Sequence, residues 1–317
     1  MRLDPQTTAF VFPGQGSQAQ GMGKELAQAY PIARRTFEEA DEILGFPLSK
    51  LMWEGPAEEL NDTLNTQPAL YVHSMAALRV FAEHAPEFSP AAVAGHSLGE
   101  LSALSAAKAL EVADGLRLVR RRGELMKRAG EMSPGGMAAV MGLDIPTLER
   151  VCVEASTGED IAQVANDNCP GQVVISGARA AVERAIEGAK AAGAKRAIPL
   201  TVSIAAHSPL MAAVQADFEA AVRSAPIRQA SIPVIGNVKA MPILSPEELR
   251  ADLTAQLTSR VRWTESVQYL RGKGIQTLVE VGSGSVLVGL IRRIDAAATG
   301  ITLGAPKEFE TFWAASA

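Results

Sequence analysis

The feature that most constrains the fold is the pentapeptide Gly-His-Ser-Leu-Gly at residues 95–99, which has the pattern Gly-x-Ser-x-Gly. A short apolar run, residues 91–94, precedes it, and a segment rich in helix-forming residues, 100–107, follows it. When a strand turns sharply into a helix through two glycines, the serine between them is held in a strained, exposed position at the helix N-terminus. The pentapeptide alone also occurs in ordinary turns, but this context favours Ser97 as a nucleophile.

Composition and charge exclude several functional classes. A chain of 317 residues with 47% hydrophobic and 21% charged residues is typical of a globular protein with one large domain, or a large domain with an insertion. Its formal net charge of -5 gives no overall attraction to nucleic acid or to an anionic membrane. The cysteines, Cys152 and Cys169, are too few for a disulfide framework and lack the spacing of metal ligands. Because the chain start lacks the apolar stretch of a signal peptide and no predicted helix could span a bilayer, we expect a cytoplasmic protein.

The order of predicted elements indicates an α/β fold with two parts. An early strand, the helices after it, and the strand and helix around the pentapeptide are typical of a parallel sheet covered by helices. Residues 131–202 have instead the order β-α-β-β-α-β of a ferredoxin-like unit. We therefore expect a small domain inserted into a larger one, which consists of residues 1–130 and 203–317. The tail after Leu303 shows no strong pattern.

A nucleophilic serine needs a base within hydrogen-bond reach and a group that orients this base. Of the four histidines, His73 and His84 lie on or beside a predicted helix, and His96 is adjacent to Ser97, where neighbouring side chains point different ways. His207 lies in a predicted loop between a strand and a helix, where catalytic groups concentrate. His207 is therefore the candidate base, although no acidic residue in a recognisable motif accompanies it.

A second glycine-rich loop, at residues 12–18, follows the first strand and leads toward a helix. It lacks the Gly-Lys-Ser/Thr ending of a phosphate-binding loop. Two glycines around Gln15 allow its backbone N–H to turn toward an oxyanion, and the N–H of Leu98 would complete an oxyanion hole. A plain Gly/Pro turn is the alternative interpretation of this loop.

Three successive arginines, residues 120–122, lie in a predicted helix. Such a run is usually a solvated face, but a helix cannot point three successive residues in one direction, so at least one is available to turn inward. An inward arginine that faces a nucleophilic serine suits bidentate capture of a carboxylate on the substrate. An esterase for neutral substrates would have little use for it.

Taken together, these segments resemble the malonyl-CoA:acyl carrier protein transacylase family. The resemblance runs in the family's order from residue 8 to residue 294. The matching segments are FPGQGSQ at 12–18, TQPAL at 66–70, AGHSLGELSAL at 94–104, RRRGELM at 120–126, GGMAAV at 135–140, N-x-N-C-PGQVVISG at 166–177, HSPLM at 207–211, VRWTESV at 261–267 and EVGSGSVLVGLI at 280–291.

The resemblance implies a fold and a set of catalytic roles. The implied fold is an α/β-hydrolase-like parallel-sheet core with an inserted ferredoxin-like subdomain, in agreement with the order of elements. Ser97 would be the nucleophile, His207 the general base and acid, and Arg122 the residue that binds the free malonyl carboxylate.

Further roles implied by the resemblance concern the surroundings of the nucleophile. The backbone N–H groups of Gln15 and Leu98 would form the oxyanion hole. In this family a backbone carbonyl orients the histidine, and by position it would belong to Arg262, where the family often has glutamine or asparagine. Asn166 matches a family asparagine near the site and would support substrate binding. Relatives strict for malonyl often have a bulky aromatic residue before the histidine, and the small Ala206 at that position leaves acyl selectivity open.

The implied activity is transfer of a malonyl group from malonyl-CoA to the phosphopantetheine thiol of acyl carrier protein in fatty acid biosynthesis, through a covalent malonyl-serine and without a metal or bound cofactor. The alternatives are a trans-acting acyltransferase of a polyketide pathway, a malonate decarboxylase subunit, a serine hydrolase or thioesterase, and a non-catalytic carrier-binding module. Carrier proteins are acidic, so we expect them to meet a basic surface. Its candidate residues are Arg117, Lys127, Arg128, Lys195 and Arg196.

Overall fold

Two β-sheets organise the chain, whose computed structural model describes residues 3–202 and 204–315. The strands are β1 Thr8–Phe12, β2 Ala92–Gly95, β3 Gly135–Met141, β4 Ala162–Cys169, β5 Gln172–Ala178, β6 Arg196–Pro199, β7 Val234–Ile235, β8 Pro242–Ile243, β9 Thr277–Val281 and β10 Thr299–Leu303. Together with the helices they form a mixed α/β fold, with a mostly parallel six-stranded sheet and a four-stranded antiparallel one.

Helices cover both sheets, and a 3₁₀ helix at Pro209–Val214 follows the loop that carries His207. The α-helices are α1 Lys24–Ala29, α2 Pro31–Leu44, α3 Leu48–Glu54, α4 Ala57–Asn61, α5 Thr63–His84, α6 Gly99–Ala106, α7 Val112–Met132, α8 Ile145–Ala155, α9 Arg179–Ala191, α10 Gln215–Ser224, α11 Pro246–Gln256, α12 Trp263–Gly272, α13 Val286–Ile294 and α14 Pro306–Ala314. Within the described ranges, no helix combines the length and the apolar character needed to cross a bilayer.

The larger sheet has the strand order β10-β9-β1-β2-β7-β8, and its neighbours pair in parallel from β10 to β7, whereas β8 pairs antiparallel with β7. Successive residues of a strand point to opposite faces, and β1 is buried on both. Phe10 and Phe12 pack into an apolar core shared with α5, α6 and α7. Ala9 and Val11 face a second core beneath α12 and α13. Two buried faces explain why β1 is apolar at every position except Thr8.

The smaller sheet has the strand order β4-β5-β3-β6, with every neighbouring pair antiparallel. Helices α8 and α9 pack on it around a separate apolar core that includes Leu148, Ile175 and Val182. The chain order β3-α8-β4-β5-α9-β6 is the order predicted from the sequence. Helix α7 extends to Met132, across the predicted boundary at residue 131, and residue 203 lies outside the described part of the chain.

The tail of the chain differs from the prediction, because it contains both β10 and α14. Strand β10 pairs in parallel with β9 and so extends the larger sheet. In α14, Phe309 and Phe312 are buried against the core, and Pro306 occupies the first helical position, which proline favours. Two buried aromatic residues on a helix of nine residues give too short a periodic pattern to detect in the sequence.

The larger sheet determines where the candidate site lies. In its register, Phe12 of β1 is opposite Gly95 of β2, and Ala94 of β2 is opposite Ile235 of β7. Because these strands are parallel, the segments that follow them leave the sheet at the same edge, where α/β proteins commonly bind ligands. The glycine-rich loop, the pentapeptide and Asn237 are therefore brought together although they are far apart in sequence.

Candidate active site

Ser97 occupies a sharp turn between β2 and α6, as the pentapeptide predicts. Its φ angle of 55° is in the left-handed region, which costs a residue with a Cβ about 1–3 kcal/mol. The glycines on both sides are required sterically, since a Cβ on Gly95 would lie 1.9 Å from the carbonyl oxygen of Gly99, and one on Gly99 would lie 2.2 Å from that of Phe12. Close packing therefore leaves room for the strained turn only when both positions are glycine.

Asn237, which follows β7, holds this turn from the neighbouring strand. The backbone N–H of Ser97 donates to Asn237 Oδ1 at 2.8 Å, and Asn237 Nδ2 donates to the carbonyl of Gly95 at 2.7 Å. Asn237 is 2% exposed, so its two bonds are shielded from water. One buried amide thus ties the backbone that leads into Ser97 to the neighbouring strand and stabilises the turn.

His207 lies within hydrogen-bond reach of Ser97. Its Nε2 is 2.8 Å from Ser97 Oγ, and its Nδ1 is 2.8 Å from the carbonyl oxygen of Gln256. A carbonyl can only accept, so Nδ1 carries the proton and Nε2 is free to accept from the serine hydroxyl. His207 also has a positive φ of 58°, so both members of the pair are held in strained backbone conformations.

The residue that orients His207 differs from the sequence prediction. A backbone carbonyl does so, but it belongs to Gln256 and not to Arg262. The physical reason is the position of the helix ends. Gln256 is the last residue of α11, where carbonyls lack helical partners, whereas Arg262 precedes α12 and its carbonyl accepts the N–H of Ser266.

Burial keeps His207 neutral. Desolvation is the main cause that lowers its pKa to about 3, and the positive charge of Arg122 lowers it further. The bond to the Gln256 carbonyl acts in the opposite direction and raises the pKa. At neutral pH the imidazole is therefore unprotonated at Nε2, the form that can accept a proton from Ser97.

Arg122 is the arginine of the basic run that turns inward, and it is only 1% exposed. Its Nη1 donates to Gln67 Oε1 at 2.7 Å, and its Nη2 donates to Gln256 Oε1 at 2.8 Å and to Ser97 Oγ at 3.1 Å. Burial lowers the pKa of Arg122 to about 10, so the guanidinium still carries its charge at neutral pH. Among the described residues, its buried Nε has no hydrogen-bond partner.

The neighbours of Arg122 in the run point elsewhere, as expected from helix geometry. Arg120 donates to the backbone carbonyl of Leu64 and pairs with Glu124, and Arg121 pairs with Glu124 at the surface. Arg122 therefore stands apart as a buried cation whose partners are neutral amides and a hydroxyl. A free carboxylate bound here would supply the opposite charge that these partners lack.

The two predicted oxyanion-hole residues lie on adjacent loops of this edge. The glycine-rich loop contacts the turn closely, since a Cβ on Gly14 would lie 2.5 Å from the carbonyl oxygen of His96. Gln15 is fixed through its side chain, whose Oε1 accepts from Thr63 Oγ1 at 3.0 Å. In the described part of the chain, the backbone N–H groups of Gln15 and Leu98 make no hydrogen bond, and both remain available to an incoming oxygen.

Strand β4 of the smaller sheet approaches the site from the other side. Asn166, the predicted supporting residue, forms a bridge with Val261 and is 6% exposed. Its neighbour Asn168 makes the direct contact, because its Oδ1 lies 2.8 Å from His96 Nε2. His96 also packs its ring edge against Trp263 and so shapes the site without contacting the serine hydroxyl.

Known proteins match this chain over nearly its whole length. Residues 9–300 match the acyl transferase domain family. The malonyl CoA-acyl carrier protein transacylase of Escherichia coli strain K12 is 45% identical over 298 residues, which cover 94% of this chain and 96% of that protein. The chain belongs to the malonyl CoA-acyl carrier protein transacylase family.

Solved structures of similar proteins agree with this membership. The crystal structure of malonyl-CoA:acyl carrier protein transacylase from Xanthomonas oryzae pv. oryzae has a TM-score of 0.94 at 41% identity, and the similarity covers 99% of each chain. A malonyl-transacylase solved in complex with a type II PKS acyl-carrier protein has a TM-score of 0.93 at 41% identity, covering 96% of this chain and 98% of that one.

Several residues around the site were not predicted from the sequence. Gln67 is part of the TQPAL segment, which offered a signal, but its role as a partner of Arg122 depends on a contact across 55 residues. Gln256 and Asn237 lie outside every matching segment, and both are buried amides whose hydrogen bonds converge on Ser97 and Arg122. Neutral amides belong to no catalytic motif, whereas nucleophiles, bases and charged residues have recognisable sequence patterns.

Proposed function

We propose that this protein transfers the malonyl group of malonyl-CoA to the phosphopantetheine thiol of an acyl carrier protein for fatty acid synthesis, through a malonyl ester on Ser97. The observation that carries the proposal is the buried Arg122, which lies 3.1 Å from the Ser97 hydroxyl and has an unpaired N–H within the described structure. A serine–histidine pair alone serves many acyl transfers and hydrolyses, whereas a buried cation beside it selects an acyl group with a free carboxylate.

In the first half-reaction, Ser97 Oγ bonds to the thioester carbonyl carbon while His207 Nε2 takes the hydroxyl proton. The oxygen of the resulting tetrahedral intermediate accepts N–H bonds from Gln15 and Leu98. Each such donor is typically worth about 3–4 kcal/mol of transition-state stabilisation. The carbon–sulfur bond then breaks, and the leaving thiolate of CoA takes the proton from His207. A malonyl ester remains on Ser97 with its carboxylate bound to Arg122.

The second half-reaction uses the same groups in reverse. The carrier thiol gives its proton to His207 Nε2 as the sulfur attacks the ester carbonyl carbon. The bond between Ser97 Oγ and this carbon breaks, and the proton on His207 returns to the serine. The scheme is ping-pong, because CoA leaves before the carrier reacts. Asn166 is proposed to assist substrate binding from β4.

The proposed fold assignment is an α/β-hydrolase-like core with an inserted ferredoxin-like subdomain at residues 131–202. It is supported by the parallel pairing of the larger sheet and by the strand order β4-β5-β3-β6 of the smaller one. The rest of the chain, 1–130 and 203–317, would form the catalytic domain. A cytoplasmic location remains a prediction.

The acyl carrier protein is proposed to dock on basic residues of the smaller sheet. Of the five basic candidates, Arg117, Lys127 and Arg128 form ion pairs with acidic side chains. Lys195, just before the edge strand β6, and Arg196, its first residue, are exposed and make no ion pair within the described residues. Their charge is therefore the most available to an acidic partner.

A second candidate is the same chemistry with a polyketide carrier. It is favoured by one observation, the structural similarity to a malonyl-transacylase in complex with a type II PKS acyl-carrier protein. The residues around Ser97 would serve both carriers equally, since the thiol donor is the same group.

Intact-mass spectrometry after brief mixing with malonyl-CoA tests the proposal, with Ser97→Ala as the control. We expect a malonyl adduct on the wild type that persists in water and is removed by carrier protein, more slowly at high salt. An adduct that water clears as fast as the carrier does would indicate a hydrolase. Absence of any adduct on the wild type would remove Ser97 from its role.

A further inference from the structure

A chain of buried polar groups extends from Arg122 away from the substrate side, and Gln256 is its first member. The Gln256 side chain makes three hydrogen bonds: Oε1 accepts from Arg122, and Nε2 donates to the carbonyl of Ser97 at 3.0 Å and to Glu100 Oε2 at 2.5 Å. Arg122 can only donate and the Ser97 carbonyl can only accept. The amide of Gln256 therefore has one orientation that satisfies both partners.

The second member is Glu100, which is fully buried behind the nucleophile turn. Its Oε2 is used by Gln256, whereas its Oε1 has no donor among the described residues. The carboxyl group of Asp252, itself 6% exposed, lies beside that of Glu100, and its negative charge contributes to raising the pKa of Glu100. Two buried negative charges side by side are strongly unfavourable, so one of two such carboxyls holds a proton.

The surroundings indicate which carboxyl holds the proton. Burial raises the pKa of Asp252 as well, but its Oδ2 accepts the backbone N–H of Val238 at 3.3 Å and the nearby charge of Lys239 favours its ionised form. Glu100 has complete burial and the negative Asp252 against it, and both raise its pKa well above the usual range. With the proton on Glu100 Oε1, the oxygen that has no partner within the described residues, Oε2 remains an acceptor for Gln256.

We propose that Glu100, protonated beside an ionised Asp252, is a positioning residue that accepts from the Gln256 amide and through it fixes the guanidinium of Arg122. The inference rests on the proposed function only for the role of Arg122 toward malonyl. If Gln256 turned its amide around, its N–H would face the N–H of Arg122, and its oxygen would face the carbonyl oxygen of Ser97. The Glu100 acceptor opposes that turn and keeps Arg122 aimed at the substrate.

Comparison of two substitutions tests the proposal. In Glu100→Gln, the amide N–H replaces the carboxyl proton beside Asp252 and the amide oxygen still accepts from Gln256. In Glu100→Ala, Gln256 Nε2 loses a buried partner. We expect kcat/KM for malonylation by malonyl-CoA to fall about 10- to 100-fold in Glu100→Ala, less with acetyl-CoA, and Glu100→Gln to restore it to within about threefold of the wild type. The matched control is Glu247→Ala, an exposed carboxylate on the same helix as Asp252.

A second measurement does not depend on catalysis. In D₂O at neutral pD, the infrared spectrum of the wild type should contain the carbonyl band of a protonated carboxyl, and this band should be absent from the spectrum of Glu100→Gln. The measurement remains informative if Glu100→Ala fails to fold. Lack of such a difference band, or a Glu100→Gln variant as slow as Glu100→Ala, would overturn the proposal. Failure of the proposed function would appear separately, as a folded wild type that shows the band but acquires no malonyl group.

Discussion

The two sheets contribute to the site in different ways. The six-stranded sheet supplies the groups proposed to react, because Ser97 and Gln15 follow adjacent parallel strands and Arg122 projects from a helix packed on that sheet. The four-stranded sheet reaches the site through β4, which provides bonds to backbone and to His96. The six-stranded sheet thus carries the groups proposed to react, and the four-stranded sheet helps to hold them in position.

The clearest support from the smaller sheet is Gln163 of β4. Its Nε2 donates to the carbonyl oxygen of His207 at 2.6 Å and to that of Thr258 at 3.2 Å. It therefore ties the strained backbone of His207 to the segment just after Gln256, whose carbonyl orients the imidazole. A side chain outside the larger sheet thus joins the two segments on which the position of the base depends.

The largest effect should come from the six-stranded sheet and its helices, in the variant Arg122→Ala. Loss of a buried charged partner typically costs about 2–5 kcal/mol, so we expect kcat/KM for malonyl-CoA to fall roughly 30- to 5,000-fold. Acetyl-CoA should lose much less, because it has no carboxylate to bind. Single-turnover acylation of Ser97 measures both, with Arg121→Ala as control, since Arg121 is adjacent but exposed. An unchanged preference for malonyl would exclude Arg122 from its proposed role.

An intermediate effect is expected from the four-stranded sheet, in the variant Gln163→Ala. Removal of its two bonds should lower kcat for acylation about tenfold and leave KM unchanged, because the base is displaced while the substrate contacts persist. Gln163→Glu should be slower still, since it places a carboxylate against two carbonyl oxygens. Gln172→Ala on the neighbouring strand is the control, as its side chain bonds Arg293 at the surface. If KM rose while kcat stayed constant, β4 would contribute to substrate binding, and its proposed role in holding His207 would be wrong.

The smallest effect concerns pH. A base with a pKa of about 3 is neutral throughout the range from pH 8 to pH 5, and its activity is lost only as the pH falls through that value. We therefore expect kcat/KM for acylation by malonyl-pantetheine, which has no titrating phosphate, to change less than about twofold over this range. An acidic limb with a midpoint near the ordinary histidine value of about 6.5 would mean that the site is wetter than the structure describes.

The local patterns of the sequence indicated Ser97 and His207 as candidates and one inward arginine among residues 120–122, and the family resemblance singled out Arg122. A glycine-flanked serine between a strand and a helix, a histidine in a loop and an arginine in a helix each have short-range signals. The structure brings Ser97 Oγ within 2.8 Å of His207 Nε2 and 3.1 Å of Arg122 Nη2. The order of elements likewise indicated both a parallel sheet and a β-α-β-β-α-β unit.

Other features had no local signal. The carbonyl that orients His207 was assigned to Arg262, because the residue at which α11 ends is decided by packing and not by a motif. The tail helix was missed because its buried face is too short to show a period. Glu100 looks like an ordinary helix residue, and its contact with Asp252 joins positions 152 residues apart.

The sequence by itself determined where the chain turns sharply, which side chains could react and which family the chain resembles, since these depend on residue types over a few neighbouring positions. Only the tertiary structure decided which oxygens and amides face one another. The orientation of Gln256, the support of His207 by Gln163 and the pairing of Glu100 with Asp252 follow from parallel strands and packed helices that bring distant residues into a dry interior. There, unpaired polar groups are costly, so most of the buried polar groups acquire a specific partner.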